Sequence, residues 1–563
     1  MLCRLGARRG ADAAADRRVD RASRLGRRHG LDLGRQSYPS RDGGSGRHRA
    51  HWLRPGHIEG VRVTTTARRK PLLSRVPADF VRAVLKGHSS LGLAFAAIIY
   101  LVCLTGSIAV FAHEFQRWET AGAPRLTSIS PDAVQHALEA AIARVSGGAE
   151  HAYINLPTPD LPQASISVEK DHVQHGWIFD AAGNLVAPGD APFSEFLTRL
   201  HINLHIPGSW GIFIVGLTGV ALLSSLISGL LAHPRIFRDA FHLRLGGSRR
   251  LQEADLHNRI GIWALPFHVI VSLTGALLGL TTIIVGVLGM ALFQGDTAKV
   301  YALFIPQAPK DDPRPAPIID LRPMFPAVDR AAPGGRTDLI LLEHPAEMGG
   351  AAMFNVQRED TRLSNYDAYA FDRTGKLYHH ARSSENNLGE RILGSIGKLH
   401  FGWFGGAAVK IAYALLGLGL TYLAAGGVTI WLARRGDKRN PAPGLERLWA
   451  ATVWSQPVAL AATALATAAA LGGVSKQALI MIWAAVTLII LFSALRVEAT
   501  ALSLWLKRAA GVLLIATAPA HVLRFWPTDP VIWSVDVGLM ACGGVLLWLA
   551  RGAVVPPVPA RSR

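Results

Sequence analysis

The stretch His88-Ser89-Ser90-Leu91-Gly92-Leu93 leads through an apolar segment to Leu104-Thr105-Gly106. It recurs as His257-Asn258-Arg259-Ile260-Gly261-Ile262, which leads to Leu273-Thr274-Gly275. The histidine-to-threonine separation is 17 residues in both copies. A second pair follows, Leu200-His201 and Leu399-His400, each read as opening another apolar helix. Between the members of each pair lies a polar segment with the same turn, Phe179-Asp180 to Gly183-Asn184-Leu185 and Phe371-Asp372 to Gly375-Lys376-Leu377. The pattern predicts a duplicated unit of helix, extramembrane segment and helix, with a histidine entering each helix.

Half of the 563 residues are hydrophobic and 18% are charged. Apolar runs of about 18 or more residues read as membrane spans. Eight are predicted, near 89–112, 209–232, 260–284, 406–433, 450–472, 477–495, 509–525 and 531–550. The expected fold class is an all-α polytopic membrane protein. A first repeat covers 82–232 with its extramembrane segment at 114–200, and a second covers 257–433 with its segment at 293–399. Four further spans fill 450–550.

Basic residues mark the cytoplasmic side of a membrane protein. Arg235, Arg238, Arg244, Arg249 and Arg250 crowd one loop; Arg434, Arg435, Lys438, Arg439 and Arg447 crowd another; Arg496, Lys507 and Arg508 a third. Eight spans put all three loops and both termini on one face, the cytoplasmic one. The two long polar segments then lie outside. Residues 1–70 supply +12 of the net charge of +19. This leader is rich in Arg, Gly and Ala and reads as a disordered tail. An upstream mis-start is expected, with translation beginning through an alternative codon near Val61 or Val63. Nucleic-acid binding is not expected of it.

The three cysteines, Cys3, Cys103 and Cys542, form no CxxC. Thiolate metal sites, iron–sulfur clusters and covalent c-type haem are therefore not expected. In the first polar segment Ser130-Pro131 opens a helix over about 131–146, with strands near 151–156, 163–169 and 175–180. The second has a helix near 320–331 and strands near 337–343, 351–358, 366–372 and 376–380. Neither holds a phosphate loop, a nucleophile motif or close metal-ligand spacing. No flavin or nicotinamide site is seen, so reducing equivalents are expected from quinol or a separate electron-donor protein.

His88 and His257 enter their helices from one face of the membrane, and His201 and His400 from the other. Both copies run in the same direction, so a two-fold axis along the membrane normal would relate them. That axis sets His88 opposite His257 and His201 opposite His400. A flat macrocycle on the axis would receive one imidazole from each half, which is the geometry of a two-haem wire with bis-histidine ligation. His205 is an alternative to His201, one helical turn on. His268 lies about 16 Å deeper than His257 along a helix, as an inner ligand or a hydrogen-bond partner of a propionate. Thr105 and Thr274 read as packing residues, with Gly92 and Gly261 leaving room near a ring. His113, His233 and His521 read as interfacial packing.

At these residues the chain resembles the PepSY-associated transmembrane family, whose members repeat a His-x-x-Leu-Gly helix ending in Leu-Thr-Gly, a PepSY domain and a Leu-His helix. The pattern covers about 82–435. The resemblance implies a bacterial inner-membrane protein with two b-type haems held by His88, His201, His257 and His400. It implies a ferric-siderophore reductase-like oxidoreductase in iron uptake, acting on a ferric siderophore or other metal chelate outside the membrane. The four last spans and the basic leader depart from the pattern. Two other readings compete. One is a non-enzymatic PepSY-type regulator, docking protein or transporter component, which predicts a colourless protein. A metal-ion transporter is weaker, because carboxylates inside the spans are nearly absent.

Overall fold

The computed structural model describes residues 77–233, 237, 241, 249–301, 312–360, 363–526 and 529–551. The basic leader and most of the 234–248 loop, including Arg235, Arg238 and Arg244, lie outside these.

The first half opens with α1 (Ala78–Ala109) and a short α2 (Ala112–Glu119). Then come α3 (Pro131–Ala143) and strands β1 (His151–Asn155), β2 (Ala164–Lys170), β3 (Val173–Phe179) and β4 (Leu185–Pro188). It closes with α4 (Pro192–Asn203) and α5 (Ser209–Ala232). The second half begins with α6 (Arg249–Trp263), α7 (Leu265–Gly279), α8 (Thr281–Phe293) and α9 (Thr297–Tyr301). There follow α10 (Met324–Ala331), β5 (Gly335–Glu343), β6 (Ala351–Arg358), β7 (Tyr366–Asp372) and β8 (Leu377–Ala381). Next are α11 (Leu388–Phe401) and α12 (Gly406–Asp437). Four more helices end the described chain: α13 (Pro443–Ala469), α14 (Lys476–Ser493), α15 (Ala499–Phe525) and α16 (Pro530–Leu549).

Among the described residues six helices, α1, α5, α12, α14, α15 and α16, are long and apolar enough to cross a membrane. The count is seven if α6 and α7 make one bent span. Eight spans were expected, and two places account for the difference. The straight span expected at 260–284 is broken, because α6 and α7 meet at 72°. Pro266 sits in the first turn of α7, where its missing N–H and its ring break continuity with the preceding turn. α13 is 27 residues long but carries Gln456 and Pro457 mid-helix, and it falls outside the set of apolar spans.

The two polar segments do not form separate modules. Their strands join in one eight-stranded antiparallel sheet, ordered β4-β3-β2-β1-β5-β6-β7-β8. The seam is the β1–β5 pair, with Tyr153 opposite Leu341. Alternate residues of each strand point to one face, where Ile154, Ile166, Phe179, Ile340, Phe354 and Phe371 form one core. Val134 and Leu138 of α3 and Val328 of α10 cover it. The turn shared by the two segments folds alike in both. Asp180 Oδ1 accepts from the N–H groups of Ala182 and Asn184, and Asp372 Oδ1 from those of Thr374 and Lys376. Gly183 and Gly375 hold positive φ, 86° and 79°, a conformation that glycine adopts without strain.

Candidate functional site

α4 leaves the sheet after β4 and ends at Leu204, in the left-handed conformation. α11 leaves it after β8 and ends at Gly402, also left-handed. His201 and His400 therefore lie in the last turns of α4 and α11, and do not open α5 and α12 as expected. Their rings face each other with centroids 6.0 Å apart and planes 22° apart. Two imidazoles bound end to end through one metal ion, with metal–nitrogen bonds of about 2.0 Å, have centroids about 6 Å apart.

Each ring is anchored through Nδ1. His201 Nδ1 lies 2.9 Å from the carbonyl oxygen of Val102. A carbonyl only accepts, so Nδ1 carries the proton and Nε2 keeps its lone pair. Thr274 Oγ1 donates to the Ile270 carbonyl at 2.6 Å and lies 3.1 Å from His400 Nδ1, so it can accept from that nitrogen. This is how metal-binding histidines are oriented by a second hydrogen bond. Burial pushes the His400 imidazole down to about 4, with His201 adding to the shift. Burial also lowers His201. Both are thereby held neutral, the form that binds metal.

At the other end of α1, His88 Nδ1 lies 3.0 Å from the Ser225 carbonyl oxygen and 3.2 Å from Ser228 Oγ. His257, on α6, has a buried Nδ1 with no hydrogen-bond partner. Both histidines line one cavity, enclosing about 1370 Å³ including its open mouth. Its walls are mainly aliphatic, with Gly92, Gly229, Gly261 and Gly427 among them and His233 and Arg434 as polar lining. Gly229 packs against the His88 ring and Gly427 against that of His257. His88 and Gly106, which touches His201, are 18 residues apart on α1, a rise of about 27 Å.

The other histidines stand apart from these pairs. α4 ends before His205, whose own φ is 55°, and its ring stacks on Phe196 at 5.1 Å. The fold thus sets His201, rather than His205, opposite His400. His268 is completely buried on α7 with no well-formed hydrogen bond at either ring nitrogen. It is not among the residues lining the His88–His257 cavity. His113 packs on Trp403, ring centroids 4.5 Å apart and planes tilted by 32°. His521 is fully buried, bonded to Asp536 at 3.0 Å and to the Trp118 carbonyl at 2.9 Å, so it is packed inside the protein.

Sequence reasoning also passed over Gly106 and Gly275. A Cβ on Gly106 would stand 2.6 Å from His201 Cε1, and one on Gly275 2.8 Å from His400 Cε1. The signal was the glycine of each Leu-Thr-Gly. Among the described residues no three His, Cys, Asp or Glu side chains could hold a bare metal ion. Paired imidazoles suit a ligand that brings its own equatorial donors.

These features define a multi-pass membrane protein with an extramembrane sheet and paired histidines among its helices. The model of the PepSY-associated TM region matches residues 85–434, more than half of the chain, and the protein belongs to that family. It is 29% identical over 391 residues to a Pseudomonas aeruginosa protein described as uncharacterised, an alignment covering 66% of this chain and 98% of that one. Helices α13–α16 lie beyond the family match.

Proposed function

We propose that the protein carries electrons across a bacterial inner membrane through two b-type haems and reduces a ferric chelate of the siderophore class outside it. The reading is supported by the approach of the His201 and His400 rings, each anchored at Nδ1, at a centroid distance compatible with one metal ion between them. His88 and His257 would hold the second haem, within the cavity they line. Bound there, the haems would supply one-electron carriage from a quinol or a separate donor protein to the Fe(III) chelate.

The residues contribute orientation and exclusion. Val102, Ser225 and Thr274 fix three ring tautomers. The glycines let helices and rings approach closely. Arg434 and His233 would offer cationic or donor partners for propionates at the cavity. The sheet side faces the periplasm in this reading, so the His201–His400 pair is the exit. The test is a dithionite-reduced minus oxidised spectrum of the detergent-purified protein, with haem quantified per chain. Sharp b-type bands and two haems per chain are expected. A colourless protein from haem-replete cells would overturn the reading and favour a docking or regulatory role.

A further inference from the structure

The helices that carry the two facing histidines are held very differently. α4 buries Phe193, Phe196, Leu197 and Leu200 in a cluster with Leu460 and Ala464 of α13, Leu479 of α14 and Ile532 of α16. Its first N–H groups, those of Phe193 and Ser194, donate to the Glu119 carboxylate at 2.8 Å each. Lys476 of α14 pairs with its Glu195. α11 has no fully buried residue, its C-terminal half including His400 is only partly covered, and Leu388, Ile392 and Leu393 are 75%, 58% and 50% exposed. It is capped by its own Asn387 and Glu390, and tied by Tyr413 at Leu399 and Asn365 at Lys398.

Between α11 and α7 runs an open apolar groove, with Leu273, Thr274 and Leu277 on one wall and Ile392, Ser395 and Leu399 on the other. One of its wall residues, Thr274, also meets His400 Nδ1, so the groove shares a residue with the histidine pair. Ser395 corresponds to Phe196 of the first copy when Leu399-His400 is aligned with Leu200-His201. The small side chain leaves open on this flank what the phenyl ring and the C-terminal helices fill on the other. Arg391 also lines the groove, a cation for an anionic ligand edge.

We propose that the α7–α11 groove is the lateral port by which the His201–His400 pair receives a flat amphipathic tetrapyrrole from the membrane, with His400 the imidazole that moves and His201 the one that stays. The proposal rests on the haem reading of that pair. Apolar groove walls suit the macrocycle faces, and Arg391 suits its carboxylates. α11 can swing without breaking a packed core, whereas α4 cannot.

The experiment is hydrogen–deuterium exchange of the full-length protein from haem-deficient cells, before and after adding hemin. Amides of α11 should exchange at least about tenfold faster than those of α4 and gain protection with hemin. Exchange that is equal, or protection confined to α4, overturns the proposal. The variant Ser395→Phe should take up hemin at the second site about tenfold more slowly while reaching the same two per chain. Two hemins bound at an unchanged rate overturns the port alone. No hemin bound by either pair in the parent protein overturns the electron-carrier reading and the port with it.

Discussion

Gly106 lies against the imidazole of His201, so near that a methyl group in place of its hydrogen would stand 2.6 Å from Cε1. Gly275 holds the same relation to His400, at 2.8 Å. Real Cβ atoms do not approach so closely, so Gly106→Ala or Gly275→Ala must push the ring out of register. Overpacking of this kind costs about 1–3 kcal/mol. Either variant should fold and span the membrane yet lose one of two haems per chain, read by pyridine haemochrome assay. Two haems retained in both variants would show that the rings are not ligands in this position.

Single alanine substitutions should sort the four histidines into two sets. His201→Ala and His400→Ala should remove the same spectral component, and His88→Ala and His257→Ala the other. His205→Ala should leave both, since its ring packs on Phe196. Redox titration of each variant checks the assignment.

Glu119 supplies a pH dependence outside the apolar spans. Burial pushes its carboxyl up to about 7, helped by the charge of Glu195 and opposed by bonds from Ser194 and Phe193. A carboxyl whose folded value is raised favours the folded state most below its ordinary value near 4.5. That contribution fades as pH rises towards 7. Thermal stability of the parent protein should therefore fall between pH 5 and about 8, and Glu119→Gln should flatten the fall. A profile identical in the variant would remove Glu119 as its cause.

Asp529, just ahead of α16, accepts from Arg117 of α2 at 2.6 Å and lies 3.3 Å from Arg125. Only 9% of its side chain and 11% of that of Arg117 are exposed. Breaking a buried pair by neutralising one partner costs about 3–5 kcal/mol. Asp529→Asn should lower the midpoint of SDS-induced unfolding clearly. An unchanged midpoint would mean that α16 does not clamp α2.

Local patterns in the sequence carried further than tertiary ones. Alternation and turn residues located seven of the eight strands, so the reading near 351–358 meets β6 and that near 366–372 meets β7, while the four-residue β4 was missed. The shared Asp-to-Gly turn was visible because one carboxylate and one glycine suffice to form it. The β1–β5 seam was not legible, since it joins residues such as Tyr153 and Leu341 that no local signal connects. The histidine pairs were read from the repeat, but their place at helix ends was misjudged, although Pro207 and Gly402 mark the stops. The burial of His521 was not legible, because one of its partners, Trp118, lies 403 residues away in the chain. The break at Ala264 had its signal in Pro266, which a hydropathy window averages away.

The seam between β1 and β5 has a bearing on inheritance. Cut between α5 and α6, each half would carry a bare strand edge, five residues long in β1 and nine in β5. Such an edge is a template that seeks any free strand, and its best complement is the other half. Two separately expressed halves should therefore reassemble through this edge, while either alone should aggregate. Once the strands had joined, neither copy could drift apart from its sibling without exposing that edge again.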